Sequence, residues 1–251
     1  MSARVLVVEH QGNAGIGLLS DGLAAGGAEL VVVGPDAGRP LPKSLAGFEA
    51  LIVLGGSMGP EDDAEAPWLP DARALLAEGV ANGTPTLGIC LGAQLLAVAT
   101  GGVVATLPGG PEIGLCTASF AEAAPRTAGD PVLGPLAGTE PPVVQWHYLE
   151  IAELPPGAEL LASSDACRHQ AFRLGEAAWG VQFHPEATTP TAEAWVLEDA
   201  DGLERLGRAA EPIVTAVRDA EPELRRHWGA LAERFATLAA AGAAARGHSA
   251  A

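Results

Sequence analysis

Four short apolar runs punctuate the first ninety residues: Val5 to Val8, Leu30 to Val33, Leu51 to Leu54 and Thr86 to Ile89. Near-continuous apolar runs of this length, bounded by turn residues, predict strands buried on both faces. Between them, Leu18 to Ala25 and Asp71 to Gly79 carry Ala, Leu and Gly in helical stretches. Strand and helix alternating in this way predict an α/β fold with a mainly parallel sheet and helices on both faces. Ligands of such sheets sit beyond the carboxyl ends of the strands. The residues just after each apolar run are therefore the place to look for chemistry.

The pattern changes at residue 103. Proline becomes more frequent, and β-like runs appear at Val143 to Trp146, Leu160 to Ala162, Ala171 to Leu174 and Trp179 to Phe183. They predict further strands of the same domain, some of them in antiparallel hairpins. From Pro190 the spacing turns helical, with Ala194 and Leu197, Ile213 and Val217, then Leu224, Trp228, Leu231, Phe235 and Leu238 at amphipathic intervals. Gly242 to Ala251 is a small-residue tail that reads as disordered. The organisation expected is a domain over 1–189 and a C-terminal helical extension over 190–251.

Length and charge narrow the possibilities. The chain has 251 residues and a formal net charge of -17. A chain of that length can bury a substantial core without a disulfide or metal staple. Lys43 is the one lysine, no basic cluster occurs, and the acidic excess would repel phosphate backbones and anionic lipid. Nucleic-acid and membrane-surface roles are thereby disfavoured. Gly79 to Pro111 carries no charge and has the length of a membrane span. Its glycines and prolines break it instead into strand, turn, helix and strand. Cys90, Cys116 and Cys167 are widely spaced and form neither a CxxC metal pattern nor a disulfide framework, so no metal or cofactor is expected. With no export signal ahead of Val5, a reducing cytoplasm is the expected setting.

The most informative string is Gly88-Ile89-Cys90-Leu91-Gly92-Ala93-Gln94, at the hand-over from the fourth strand to a helix. A nucleophile on such a sharp turn is held in a strained conformation, and the flanking glycines remove Cβ clashes. The helix beginning near Gly92 points its positive end at the sulfur and favours thiolate. Gln182-Phe183-His184-Pro185-Glu186 ends the run from Trp179. Positions i and i+2 of an extended chain face the same way, so His184 and Glu186 can lie side by side. Cys90 as nucleophile, His184 as base then acid, and Glu186 as orienting carboxylate make a triad. Leu54-Gly55-Gly56-Ser57 after the third strand, with the Leu91 amide, can supply oxyanion donors.

Several neighbouring features have plainer readings. Cys116 and Cys167 read as buried small hydrophobes, and Gly12-x-x-Gly15-x-Gly17 as an ordinary βα loop rather than a phosphate cradle. Glu61-Asp62-Asp63 and Glu65 read most simply as a solvated turn, with tuning of a pocket rim as the alternative. His147 fits either a substrate-side residue or a packed strand-end histidine.

Taken together, these motifs resemble the class I, triad-type glutamine amidotransferases, notably stand-alone members similar to the glutaminase domain of GMP synthase. The resemblance covers roughly residues 3–189 and includes Gly110-Pro111-Glu112-Ile113-Gly114 and Gln145-Trp146-His147. It implies a flavodoxin-like fold and hydrolysis of the glutamine side-chain amide through a thioester on Cys90, with release of ammonia. It further implies Cys90, His184 and Glu186 as catalytic residues and Gly56 and Leu91 as oxyanion donors. Gln94, Gly55, His147 and Tyr148 would contact substrate. Tyr148-Leu149 stand where relatives tend to carry Gly-Asp, which motivates a second reading, a self-sufficient hydrolase of γ-glutamyl amines or peptides. A third is a catalytically silent binding module. The chain lacks the S-G-G-x-D-S signature of an ATP-pyrophosphatase, so an ammonia-accepting synthetase would be a separate chain. The helical extension could pack on the core or pair two copies of the chain.

Overall fold

The computed structural model describes residues 2–122 and 129–249, with side chains described as far as residue 242. The elements in chain order are β1 (Ala3–Val8), α1 (Leu19–Ala25), β2 (Ala28–Val33), β3 (Ala50–Val53), α2 (Leu69–Asn82), β4 (Thr86–Ile89) and α3 (Leu91–Ala99). Then come β5 (Val103–Thr106), β6 (Glu112–Thr117), β7 (Ser119–Phe120), β8 (Pro142–His147), β9 (Leu149–Glu153) and β10 (Ala158–Ser163). The chain continues through β11 (Ala171–Leu174), β12 (Ala178–Val181), α4 (Thr189–Glu198), α5 (Ala200–Arg205) and α6 (Ala210–Ser249).

The main sheet has the order β2-β1-β3-β4-β12-β11-β10-β7. Strands β2, β1, β3, β4 and β12 run parallel, and β11, β10 and β7 add an antiparallel edge. This is the flavodoxin-like, mainly parallel α/β arrangement. Two hairpin-like pairs, β5 with β9 and β6 with β8, lie outside that sheet. The sequence pattern does not mark strands β6 and β9, because Glu112–Thr117 and Leu149–Glu153 lack the dense apolar run by which the parallel strands are read.

The two-residue period of the parallel strands divides the core. Val5, Val7, Ile52, Leu87 and Ile89 face one side, and Leu6, Val8, Leu51 and Val53 the other. Leu19 and Leu23 of α1 and the apolar stripe of α6 cover the first face, while Leu69, Leu75 and Leu76 of α2 and Leu95 and Leu96 of α3 cover the second. The uncharged stretch from Gly79 to Pro111 is thus the end of α2 followed by β4, α3 and β5. No helix among the described residues is long and apolar enough to cross a membrane.

Helix α6 lies deep against the rest of the chain. Trp228, Leu231 and Phe235 are fully buried, and Phe183 stacks obliquely on Trp228 with ring centroids 5.0 Å apart. Trp179 meets Phe235 edge to face at 6.4 Å. A Cβ at Gly22 of α1 would fall 2.3 Å from the Gly229 carbonyl oxygen, so the two helices approach through a glycine notch. Helix α6 continues through Gly242 to Ser249. The disorder expected of the tail falls on positions whose side chains, from 243 on, lie outside the described residues.

Candidate active site

The turn from β4 into α3 has the geometry the glycines imply. Cys90 sits at φ 49°, ψ -106°, and is the one non-glycine with positive φ among the described residues. Such backbone costs on the order of 1–3 kcal/mol and persists only where its surroundings enforce it. The enforcement is visible: a Cβ at Gly88 would meet the Gly92 oxygen at 2.5 Å, and one at Gly92 would meet the Val53 oxygen at 2.0 Å. The Cys90 amide is tied to the Val181 carbonyl of β12 at 2.8 Å. Leu91 opens α3, so its amide belongs to the first turn, where N–H groups have no partner within the helix.

His184 and Glu186 follow β12. The His184 amide donates to Val144 of β8 at 2.8 Å, and its ring nitrogen Nδ1 lies 2.6 Å from a Glu186 carboxylate oxygen. Both side chains are almost wholly buried. Burial alone would lower the His184 pKa, but the negative charges of Glu186 and Cys90 outweigh it and raise it to about 10. The Glu186 carbonyl is fixed from the other side: it accepts from the Leu18 amide at 2.8 Å, and a Cβ at Gly17 would overlap it at 1.9 Å. The loop from Gly12 to Gly17 is a βα connection, as read from the sequence, and its last glycine makes room for the Glu186 backbone.

A cavity of about 350 Å³ opens over the Cys90 sulfur, with His184, Gly56, Gln94, Trp146 and Tyr148 among its walls. Gly56 lines it at the turn after β3, where an added Cβ would meet Met58, Leu91 and His10. His10 is buried behind this turn, accepts from the Trp68 indole at 3.0 Å, and has its pKa lowered to about 4 by burial. It is therefore neutral. The same turn is braced by Gln11, which accepts from the Ser57 amide at 2.8 Å, and by Asp62, which accepts from the Gly59 amide at 2.6 Å. Glu61-Asp62-Asp63 is an exposed turn, as read from the sequence, in which Asp62 also holds the Gly59 amide. Gly55 does not line the cavity; its Cα lies against His184, and a Cβ there would come 2.8 Å from Cε1.

The other expected contacts divide. Gln94 reaches the cavity, but its amide donates to the Leu149 carbonyl at 3.3 Å and to Gln182 Oε1 at 3.2 Å. Gln182 in turn points its amide at the Cys90 sulfur, 3.6 Å away. Nothing in the sequence string around Gln182 marks that role. His147 borders the cavity, yet its Nδ1 lies 2.8 Å from the Leu149 carbonyl and its Nε2 3.0 Å from Glu112. Both ring nitrogens are engaged, which favours the packed strand-end reading. Burial raises the pKa of Glu112, but hydrogen bonds from His147, Ser164 and Gln170 overcome it and leave it lowered. Cys167 lies close to Glu112 and His147, an arrangement that could hold a metal ion, but burial first of all pushes its thiol up to about 12. A neutral thiol is a poor ligand, and His147 and Glu112 already bond each other.

Three wall residues come from beyond the expected domain boundary. Trp195, Glu198 and Asp199, at the end of α4, all line the cavity. The Trp195 ring lies 4.5 Å from that of His184, and Trp146 packs on Trp195 at 5.7 Å. Their spacing reads equally well as a packing stripe, so nothing in the sequence marked them.

A cysteine on a strained turn, a histidine backed by a buried carboxylate and a glycine turn meet at one cavity, an arrangement suited to acyl transfer. Comparison with known proteins agrees: the family model described as "Glutamine amidotransferase class-I" matches residues 16–200. The chain belongs to the class I glutamine amidotransferase family. It is similar to YfeJ, a glutamine amidotransferase-like protein of Salmonella typhimurium, at 32% identity over 184 residues, covering 70% of this chain and 74% of that one. It is also similar to a glutamine-hydrolysing GMP synthase subunit of Haloarcula marismortui, at 38% identity over 138 residues, or 54% of this chain and 63% of the relative. Among solved structures, a glutamine amidotransferase from Thermotoga maritima superposes with a TM-score of 0.81 at 26% identity, covering 94% of this chain and 99% of the other.

Proposed function

We propose that this amidotransferase hydrolyses the γ-amide of glutamine or a closely related γ-glutamyl amide. Cys90 attacks the γ-carbonyl carbon, His184 delivers a proton to the departing amine, and a γ-glutamyl thioester forms as the C–N bond breaks. Water, deprotonated by His184, then attacks the thioester and releases the γ-carboxylate. The observation carrying this reading is the strained Cys90 backbone and His184 lining one cavity, with Glu186 buried behind the histidine. Gly56 and Leu91 are the proposed oxyanion donors; removing one such donor costs about 10²–10³ in rate in enzymes of this logic.

The same chemistry accommodates two settings. In one, ammonia passes to a synthetase on another chain, a reading supported by similarity to a protein named as one subunit of a GMP synthase. In the other, the chain acts alone on γ-glutamyl compounds, supported by 32% identity over 104 residues to a protein named gamma-glutamyl peptidase 3 from Arabidopsis thaliana. Incubating the purified chain with glutamine and with γ-glutamyl amides, and following glutamate release, tests both. Turnover is expected, with loss in Cys90→Ser. A Cys90→Ser variant as active as the wild type would refute the mechanism.

A further inference from the structure

Attack at the γ-carboxamide carbonyl carbon of a glutamyl compound leaves the carbon bearing the α-ammonium group three carbon atoms away, and that cation needs a negative partner. Among the residues lining the cavity there is no lysine or arginine, and the carboxylates are Glu198 and Asp199. They differ in how they are held. Glu198 is bonded through Oε2 to the Asn13 amide, and Asn13 to Gln11, which supports the Ser57 turn. Asp199 instead faces the aromatic wall: its Oδ2 accepts from the Trp146 indole at 3.1 Å and from the Tyr148 hydroxyl at 2.7 Å. Trp146 is the residue whose own carbonyl lies 4.0 Å from the Cys90 sulfur. The carboxylate is therefore fixed to the segment flanking the nucleophile.

Tyr148 is suited to hold it there. Burial and the Asp199 carboxylate push its pKa up to about 12, so it remains a donor throughout the neutral range. The packing is specific to this pair, because a Cβ at Gly202 would lie 2.0 Å from Asp199 Oδ1 and 2.5 Å from the Tyr148 hydroxyl. Asp199 also heads α5 without making a side-chain cap hydrogen bond there. Its Oδ2 is thus held by the cavity wall, while Oδ1 lies against Gly202 of α5.

We propose that Asp199, oriented by Tyr148 and Trp146, is the specificity-determining carboxylate that binds the α-ammonium group of the substrate. This assignment rests on the γ-glutamyl hydrolase reading above. It places the recognising charge in the segment after α4, and it makes Tyr148 a positioning residue rather than a substrate ligand. Substrates with a free α-amino group are favoured over those whose amine is acylated.

The test uses two substrate pairs with the full chain: glutamine and N-acetylglutamine, and L-γ-glutamyl-p-nitroanilide and its N-acetyl derivative. The ratio of kcat/KM between the free and acetylated members is measured for wild type, Asp199→Asn and Glu198→Gln. Asn preserves size and hydrogen bonding, so the expected result for Asp199→Asn is a ratio at least tenfold smaller, carried by KM for the free amine, with turnover of the acetylated member unchanged. An equal loss on both members, or a collapse of the ratio in Glu198→Gln alone, would overturn the assignment while leaving the hydrolase reading intact. Wild type inert on all four compounds would overturn the hydrolase reading and this inference with it.

Discussion

Replacing Gly92 with alanine should disable the site through the backbone, without touching a reacting group. The new Cβ would lie 2.0 Å from the Val53 oxygen and 2.7 Å from the Val53 carbon, whereas ordinary contact begins near 3.4 Å. More than 1 Å must be recovered between α3 and the end of β3, and neither partner is a flexible side chain. Overpacking of this kind costs roughly 1–3 kcal/mol of stability. The shift falls on the turn that carries Cys90, and a misplacement of about 1 Å at a reacting group can cost on the order of 10²-fold in rate. The expected variant is folded, melts several degrees lower, and has kcat/KM reduced about a hundredfold. Gly109→Ala is the control, because nothing lies within 4 Å of a Cβ there. Steady-state glutamate release and thermal unfolding, measured on both variants, supply the comparison. Wild-type kcat/KM in Gly92→Ala would refute the claim that this glycine sets the position of Cys90, the proposed nucleophile.

Further outcomes follow from other contacts. His184 is raised to about 10, so its imidazolium form is retained as pH rises and is lost only near that value. The alkaline limb of kcat/KM should therefore lie well above the ordinary histidine range and move down by about one unit or more in Glu186→Gln; a limb that stays put would dismiss Glu186 as its cause. Trp228→Ala removes a fully buried ring packed on Phe183 and should cost about 3–5 kcal/mol in denaturant unfolding. Gly229 lies within α6 with nothing within 4 Å of a Cβ, so Gly229→Ala should stabilise by about 0.5–1 kcal/mol. Gly22→Ala, facing the Gly229 carbonyl, should destabilise instead. A chain ending at residue 189 would uncover Trp179 and Phe183 and should be recovered in aggregates; a monodisperse, cooperatively unfolding product would contradict the packing described for α6.

The parallel half of the sheet was legible because its strands are written as unbroken apolar runs: the first four runs lie within a strand or end one residue beyond it, and Trp179 to Phe183 ends two residues beyond β12, although β2, at the sheet edge, is only half-buried. The proposed triad was legible for a related reason: a strained elbow demands glycines at fixed positions, and an extended chain brings residues two apart to one side. Those constraints leave a mark in the sequence. The cavity wall from Trp195 to Asp199 leaves none, since a helix that buries an aromatic beside a ligand has the same period as one that buries it in a core. His147 was ambiguous because its role is decided by Glu112, thirty-five positions away on a paired strand whose apolar signal is weak. Gln182 and Gln94 form a relay toward sulfur that requires knowing which amide faces which, and sequence order does not supply that.

The placement of α6 has a consequence for the order in which the protein comes into being. His184 and Glu186 leave the ribosome before the helix that buries the aromatic residues beside them, with Phe235 and Ala239 still to be made. At translation rates of about 5–20 residues per second, the roughly fifty intervening residues take on the order of 3–10 s. For that interval Trp179 lacks its edge-to-face partner Phe235 and Phe183 lacks Trp228, although Asp130 and Phe120 already contact them. Helix α6 therefore closes over the strand that presents His184 only after that strand has been made, so the cover of the cavity floor is the last part of this packing to assemble.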